Sequence, residues 1–481
     1  MRKKLMIVLS ILLVGTMLVA CAAPAADDVT PPAPADTAPA DDAQTPADDD
    51  DADDAPADTG DAASLVGFLD GFTEEVTLNV NMMWSYGNMQ DAKGYAVTNA
   101  IARLNAEFPN LTINYNAAMH DDYGTAMLTL MAANDLPDLF NVRGHWIGGL
   151  VDSNQIGSVA QFEALDPDWY NSFIDATLFD MTYNGQLWGI PFQLITTSLI
   201  IYNQEIFGSV GFDQFPQTWE DMIEAFTLLQ EAGYVPLGVG NRGQWVANSV
   251  VFGPLGFNGA GPGWFHDIMS GTGDGFLDEG LINGVSRMHE LAANGFFNDN
   301  INSIDMFEVI PPYVNRQVAA YVDGSWGFSS LISAAGDDQS ILDASSVAVF
   351  PPFPGGAGQT PAASIGSGWG QAFSSRLNTP AEEFAAFLFI RETTGWEWGN
   401  DLHNMGDASA VDYPWDFSGS AAVVQRYNEL LPSLTAAPLY DVHFHPAIVE
   451  AMNTNFQLLL IDEITPEEWA QRVQDVWTVM N

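Results

Sequence analysis

The chain has 481 residues and carries 62 Asp and Glu against 13 Lys and Arg, a formal net charge of −49. Hydrophobic residues at 47% and aromatics at 12% exclude a mainly disordered chain, and the length fits roughly two to four domain-sized units or one large two-lobed body. So few cations exclude a nucleic-acid partner, whose phosphates need Lys and Arg, and one cysteine excludes an internal disulfide or a Cys-based metal centre.

Arg2, Lys3 and Lys4 precede an uncharged apolar run over residues 5–20. The run is shorter than the ~20 residues a spanning helix needs and ends in small residues, as a signal peptide does. Leu18-Val19-Ala20-Cys21 resembles the lipobox of bacterial lipoproteins. That resemblance implies cleavage after residue 20, lipidation of Cys21 and a membrane anchor made stable by more than one acyl chain. An ordinary signal peptide followed by a chance cysteine is the alternative. Residues 22–61 are dominated by Ala, Pro, Asp and Thr and contain no aromatic residue. Such a segment cannot bury enough apolar surface to offset its ordering entropy, so 21–62 reads as an extended tether. Thirteen acids lie in the tether and three bases precede it, which leaves the body near −39. Acidity spread over the whole body fits a saline medium or a lineage habit of acidic surfaces.

Beyond the tether, residues 76–80 alternate as a strand, and 82–89 form a loop with Trp84 and Tyr86. Helical spacing covers 95–108, a strand 111–115, a helix 123–133, and Leu136-Pro137-Asp138-Leu139-Phe140 leads into a third strand. This alternation predicts an open parallel sheet covered by helices. Ligands of such sheets sit beyond the carboxyl ends of the strands, which gathers Trp84, Tyr86, Asp138 and 141–146 on a common rim. Thr218, Thr379 and Thr465 each stand three residues before an acid, with Pro380 and Pro466 at first helical positions, and predict helix starts. A helix over 283–293 should end at Gly295.

In order and spacing, the motifs from residue 76 onward resemble the sugar-binding solute-binding proteins of ABC importers, the maltose-binding-protein-like family. They are Leu136–Phe140 as quoted, Tyr183-Asn184-Gly185-Gln186-Leu187-Trp188-Gly189-Ile190-Pro191, Tyr202-Asn203, Phe215-Pro216, Thr218-Trp219-Glu220-Asp221, Ala319-Ala320 with Gly324-Ser325-Trp326, and Phe350-Pro351-Pro352-Phe353-Pro354. Gln186 and Gln204 stand where the family usually has Lys, and 407–420 aligns with nothing. The resemblance implies an α/β, two-lobed periplasmic-binding-protein-like fold of type II whose discontinuous lobes are joined by hinge strands. The expected lobes are 76–191 with 359–402 and 192–350 with 411–481, crossing near 191–194, 351–355 and 401–412. It also implies a monomeric extracytoplasmic receptor, lipid-anchored, that captures a small carbohydrate without a cofactor and delivers it to ABC permease transmembrane subunits.

Sugars stack their C–H faces on Trp and Tyr and offer hydroxyls to planar polar groups. The ligand candidates on that logic are Trp84, Tyr86, Asp138, Arg143, Trp146, Trp245, Asp323, Trp326 and Trp369, several beside glycines that allow close approach. Core packing is the competing role for the rings, helix or turn capping for Asp138, and a surface role for Asp323 and Arg143. Enzyme signatures fail. No Gly-x-Ser-x-Gly elbow exists, and His289-Glu290 lacks a second His because Ala293 holds that position. Asp441-x-His443-x-His445 could face a metal on a strand, but Pro446 favours a helix there. A secreted glycoside hydrolase with two unplaced carboxylates, a structural surface protein, and a receptor for a cationic solute such as a polyamine remain open alternatives.

Overall fold

In the computed structural model the described residues are 62–118, 120–358 and 360–480; Cys21 and most of the expected tether lie outside them. The strands of the three main sheets are, in chain order, β1 (Val76–Met82), β2 (Leu111–Ala117), β3 (Leu139–Arg143), β4 (Ile190–Pro191), β5 (Ile195–Thr196), β6 (Leu199–Asn203), β7 (Val235–Gly238), β8 (Val318–Asp323), β9 (Ser345–Ala348), β10 (Ala362–Gly366), β11 (Trp369–Phe373) and β12 (Thr435–Ala437).

The first sheet has the order β2-β1-β3-β11-β4. β1 lies parallel to β2 from Val76↔Leu111 to Met82↔Ala117 and parallel to β3 at Val80↔Leu139. β11 returns antiparallel to β3, with Trp369 opposite Arg143. Alternation in β1 drives Leu78, Val80 and Met82 into a core closed by the helices Ala92–Glu107 and Pro380–Glu392. Fully burying each such aliphatic side chain stabilises by about 1.5–3 kcal/mol. Leu65 and Phe72 join this core, and Phe68 packs on Phe384, so the segment just before β1 is docked.

The second sheet has the order β9-β6-β8-β7. Its two central strands, β6 and β8, read as near-continuous apolar runs and are wholly buried, because both faces of the sheet are covered. One core gathers Phe252, Phe456 and Trp469 with the helix Glu279–Ala293; another gathers Ile201, Tyr321 and Tyr427 on the opposite face.

A small third sheet, β12-β10-β5, ties the two together. The chain leaves the first sheet through β4 and enters the second at β6 by way of β5. It returns through β10 and the Gly366–Gly368 turn into β11. This return comes later than the 351–355 crossing expected above, because Phe350 and Phe353 are pinned in the second body's core and Ala357 and Gly358 donate to Gly259 and Asn258. The third passage also comes later than expected. Ala410 and Val411 belong to the first core, and Asp412 donates to Ser172, so the chain turns away only after Trp415.

The predicted helix starts form as expected. Thr379 and Glu382 make a reciprocal capping box, Thr218 accepts from the Asp221 amide, and Thr465 accepts from the Glu468 amide. Each cap contributes about 1 kcal/mol. Gly295 adopts φ 68°, the left-handed conformation that ends the helix Glu279–Ala293.

Candidate functional site

The carboxyl end of the first sheet carries one set of rings. β3 ends at Arg143 and runs without a linker into the helix Gly144–Asp152. Cross-strand pairing places Arg143 beside Trp369, and its guanidinium lies 4.3 Å over that ring and 6.0 Å from Trp146. The two indoles meet edge to face at 5.4 Å and 88°, and Tyr123 packs on Trp369 at 5.8 Å. Both indoles are 7% exposed, so the platform is rigid and largely seated in the core.

The second sheet contributes a matching set. β8 ends at Asp323, and the Gly324–Gly327 turn lifts Trp326 to a half-buried position 6.1 Å from Trp245. Asp323 is wholly buried, accepts from the Gly324 amide at 2.8 Å, and is pushed up to about 7, mainly by burial. Gly327 is required there, because a Cβ would stand 2.1 Å from Asp323 Oδ2.

Between the two sets lies the helical turn Tyr440–His443. Tyr440 and Phe444 root it in the second body, while Leu439 and Val442 pack with Ile195 and Trp326. Val442 meets Gly144 so closely that a Cβ on that glycine would lie 2.8 Å from Val442 Cγ1 and 2.5 Å from the Asp180 carbonyl oxygen. Asp180 is the junction. Its Oδ2 accepts from the amides of Ser367 at 2.7 Å and Gly368 at 2.9 Å, and its Oδ1 pairs with His443 Nε2 at 2.9 Å. One buried carboxylate thus holds the β10–β11 turn and a residue of the opposite body. Asp441 is raised by burial, an effect partly offset by the nearby Arg143, and its Oδ1 accepts from Ser249 Oγ at 3.2 Å. His145 is lowered to about 3, first by burial and then by Arg143, and is therefore neutral at physiological pH.

These rings, glycines and carboxylates stand at the facing ends of two sheets. Over residues 86–392 the chain matches the family of bacterial extracellular solute-binding proteins. It is a member of that family. An uncharacterized ABC transporter extracellular-binding protein from Pyrococcus horikoshii is 23% identical over 179 residues, covering 36% of this chain and 39% of the relative. The chain spans about two-fifths of the length of the curated relatives it matches. Among solved structures, a chitin oligosaccharide binding protein superposes with a TM-score of 0.76 at 22% identity, covering 85% of this chain and 99% of the other. A mannobiose-bound ABC-transporter binding protein from Bifidobacterium animalis subsp. lactis gives 0.63 at 17% identity, covering 85% and 96%. The two-lobed fold expected from the sequence is the fold observed.

Within this solute-binding protein, the nine sequence candidates separate. Arg143, Trp146 and Trp369 form one cluster, and Trp245, Trp326 and Asp323 the other. Trp84 is a packing residue: it meets Phe192 at 4.5 Å and Trp398 at 5.4 Å, and its carbonyl accepts from Tyr115 Oη. Tyr86 is exposed beside Tyr115. Asp138 stands at the amino end of β3, about 16 Å of strand from Arg143. It takes the Asn79 amide at 2.7 Å and Asn79 Nδ2 at 2.9 Å, so it supports the sheet away from the rim.

The remaining motifs are structural. His443 pairs with Asp180, His445 Nδ1 accepts from the Ala447 amide, and Asp441 accepts from Ser249, so a helical turn scatters the three residues that a strand would have aligned. No grouping of three metal-ligating side chains occurs among the described residues. Glu290 accepts from Trp219 Nε1 and Arg287, and Trp219 is buried packing. Asp180 escaped the sequence reading because a single acid after a short helix carries no pattern; its role exists only through contacts 187 and 263 positions away.

Proposed function

We propose that this protein captures a neutral oligosaccharide between its two bodies and passes it unaltered to an ABC permease. The observation that carries this reading is the placing of two indole pairs, Trp146–Trp369 and Trp245–Trp326, at the facing ends of the two sheets, with Arg143 and buried carboxylates around them. Pyranose C–H faces suit the rings, and hydroxyls suit the guanidinium and carboxylates. The sugars named for the structural neighbours, a chitin oligosaccharide and mannobiose, support the same ligand class. We assign residues 62–191 and 369–415 to one lobe and 199–361, 422–434 and 438–480 to the other. Residues 192–198, 362–368, 416–421 and 435–437 then act as the hinge. A ligand closes such a hinge only by binding the closed form better than the open one.

The lipobox-like Leu18–Cys21 supports lipid anchoring at the outer face of a membrane, which Cys21→Ser should abolish, releasing the protein from the membrane fraction. The ligand reading is tested by a thermal-shift screen of residues 62–481 against mono- and oligosaccharides, chitooligosaccharides and mannobiose included, with spermidine as the cationic arm. A sugar that binds the folded form raises the melting temperature by mass action. Product in the incubated sugar would instead establish a glycosidase, and a shift with spermidine alone would replace the sugar by a cationic solute.

A further inference from the structure

A second ring cluster lies on the first body outside the cleft and beyond the family match, which ends at residue 392. The helix Trp396–Asn404 buries Trp398 against Trp84 and leaves Trp396 on its outer side. The following 413–415 strand of chain folds back over that helix. Trp415 stacks on Trp396 at 4.8 Å and 17°, and Tyr413 stands against Trp396 at 4.1 Å and 76°. Gly399 admits this fold, since a Cβ there would lie 2.7 Å from Trp415 Cζ2. Behind Trp415, His403 stacks at 5.5 Å and Phe417 backs His403 at 4.5 Å. The cluster is therefore fixed in shape, yet Trp396 is 44% and Tyr413 46% exposed.

We propose that the Trp396–Tyr413 corner, backed by Trp415, is a second carbohydrate-binding surface that takes the sugar rings of a neutral polysaccharide outside the cleft. Two perpendicular rings present a notch in which one face can stack on a pyranose while the other closes its edge. Exposed Glu397, Asp412 and Asp416 adjoin Trp396, Tyr413 and Trp415 in sequence, and carboxylates of this kind can accept sugar hydroxyls. From residue 392 to 425 there is no Lys or Arg, which speaks against anionic polymers and phosphate-bearing surfaces. Size speaks against a protein partner. Rings of this kind bury about 150–250 Å² each, so the exposed remainder is on the order of 200 Å². A stable protein interface needs about 800 Å² per partner. One or two sugar units fit that area.

The test is native gel electrophoresis of residues 62–481 through soluble hydroxyethyl chitin, arabinoxylan and galactomannan, in parallel with calorimetry for whichever short oligosaccharide binds the cleft. Wild type should be retarded by at least one polymer. Trp396→Ala/Tyr413→Ala should weaken that retardation about tenfold or more while the short-ligand Kd stays unchanged. Trp326→Ala should do the reverse, so failure here and failure of the cleft reading are told apart. Tyr413→Ala alone, judged by its melting temperature, serves if the double variant does not fold. Equal retardation of wild type and variant overturns the proposal. So does the absence of retardation by all three polymers, which would leave the rings to a protein partner.

Discussion

Truncating Trp369 and truncating Trp326 should separate a structural ring from a contact ring. Trp369 is 7% exposed and is held by Arg143 at 4.3 Å, Trp146 at 5.4 Å and Tyr123 at 5.8 Å. Removing it takes most of an indole from the core and leaves a cavity, a change worth about 3–5 kcal/mol. Trp326 is only half-buried and touches Trp245, Ile195, Leu439 and Val442 at its edge. Trp326→Ala should therefore cost stability much less, while loss of a stacked sugar ring weakens ligand binding by about 1–3 kcal/mol. Urea denaturation of both variants gives the first quantity, and calorimetric titration with the sugar identified by the screen gives the second. Trp369→Ala should fall well below Trp326→Ala in denaturation midpoint, and Trp326→Ala should lose affinity. The reasoning is refuted if Trp369→Ala keeps the wild-type midpoint, or if Trp326→Ala binds sugar as wild type does.

Asp180→Ala strips the acceptor from two buried amides and one histidine, and should destabilise by about 2–4 kcal/mol in the same denaturation assay, with Asp180→Asn recovering part of it. Gly144→Ala sets a methyl group against the Asp180 carbonyl and Val442, so small-angle scattering of the unliganded protein should show a larger radius as the 440–443 turn is pushed away. The pH response should carry two opposite signs. Asp323 is raised to about 7 in the folded state, so its proton binding favours folding below about pH 4 and that stability is lost as pH rises towards 7. His145 is lowered to about 3, so its contribution is present above about pH 6.5 and is lost as pH falls towards 3. Between about pH 4 and 6.5 the two slopes oppose each other, so over that range stability should rise more steeply with pH in Asp323→Asn than in wild type and should fall with pH in His145→Gln; unchanged profiles would contradict both assignments.

Local order was legible from the residues alone. The alternating Val76–Met82 segment, the Thr379–Glu382 box and the Gly295 stop act over a few positions, and their chemistry is the same in any surroundings. The succession of short motifs carried the family and the two-lobed fold, and the rings beside glycines pointed to the two indole pairs. Long-range burial decided the rest. Trp84 and Trp326 both follow strands, yet Phe192 and Trp398 close over the first while the second stays half-open. Asp138 and Arg143 are five positions apart, and the direction of one strand puts them at opposite ends of the sheet. The passage between bodies slid from 351–355 to Gly366–Gly368 because Phe350 and Phe353 found a core to enter. Residue type and spacing set what each segment can do; which side chain keeps a free face depends on what folds against it from hundreds of positions away, and that is a property of packing.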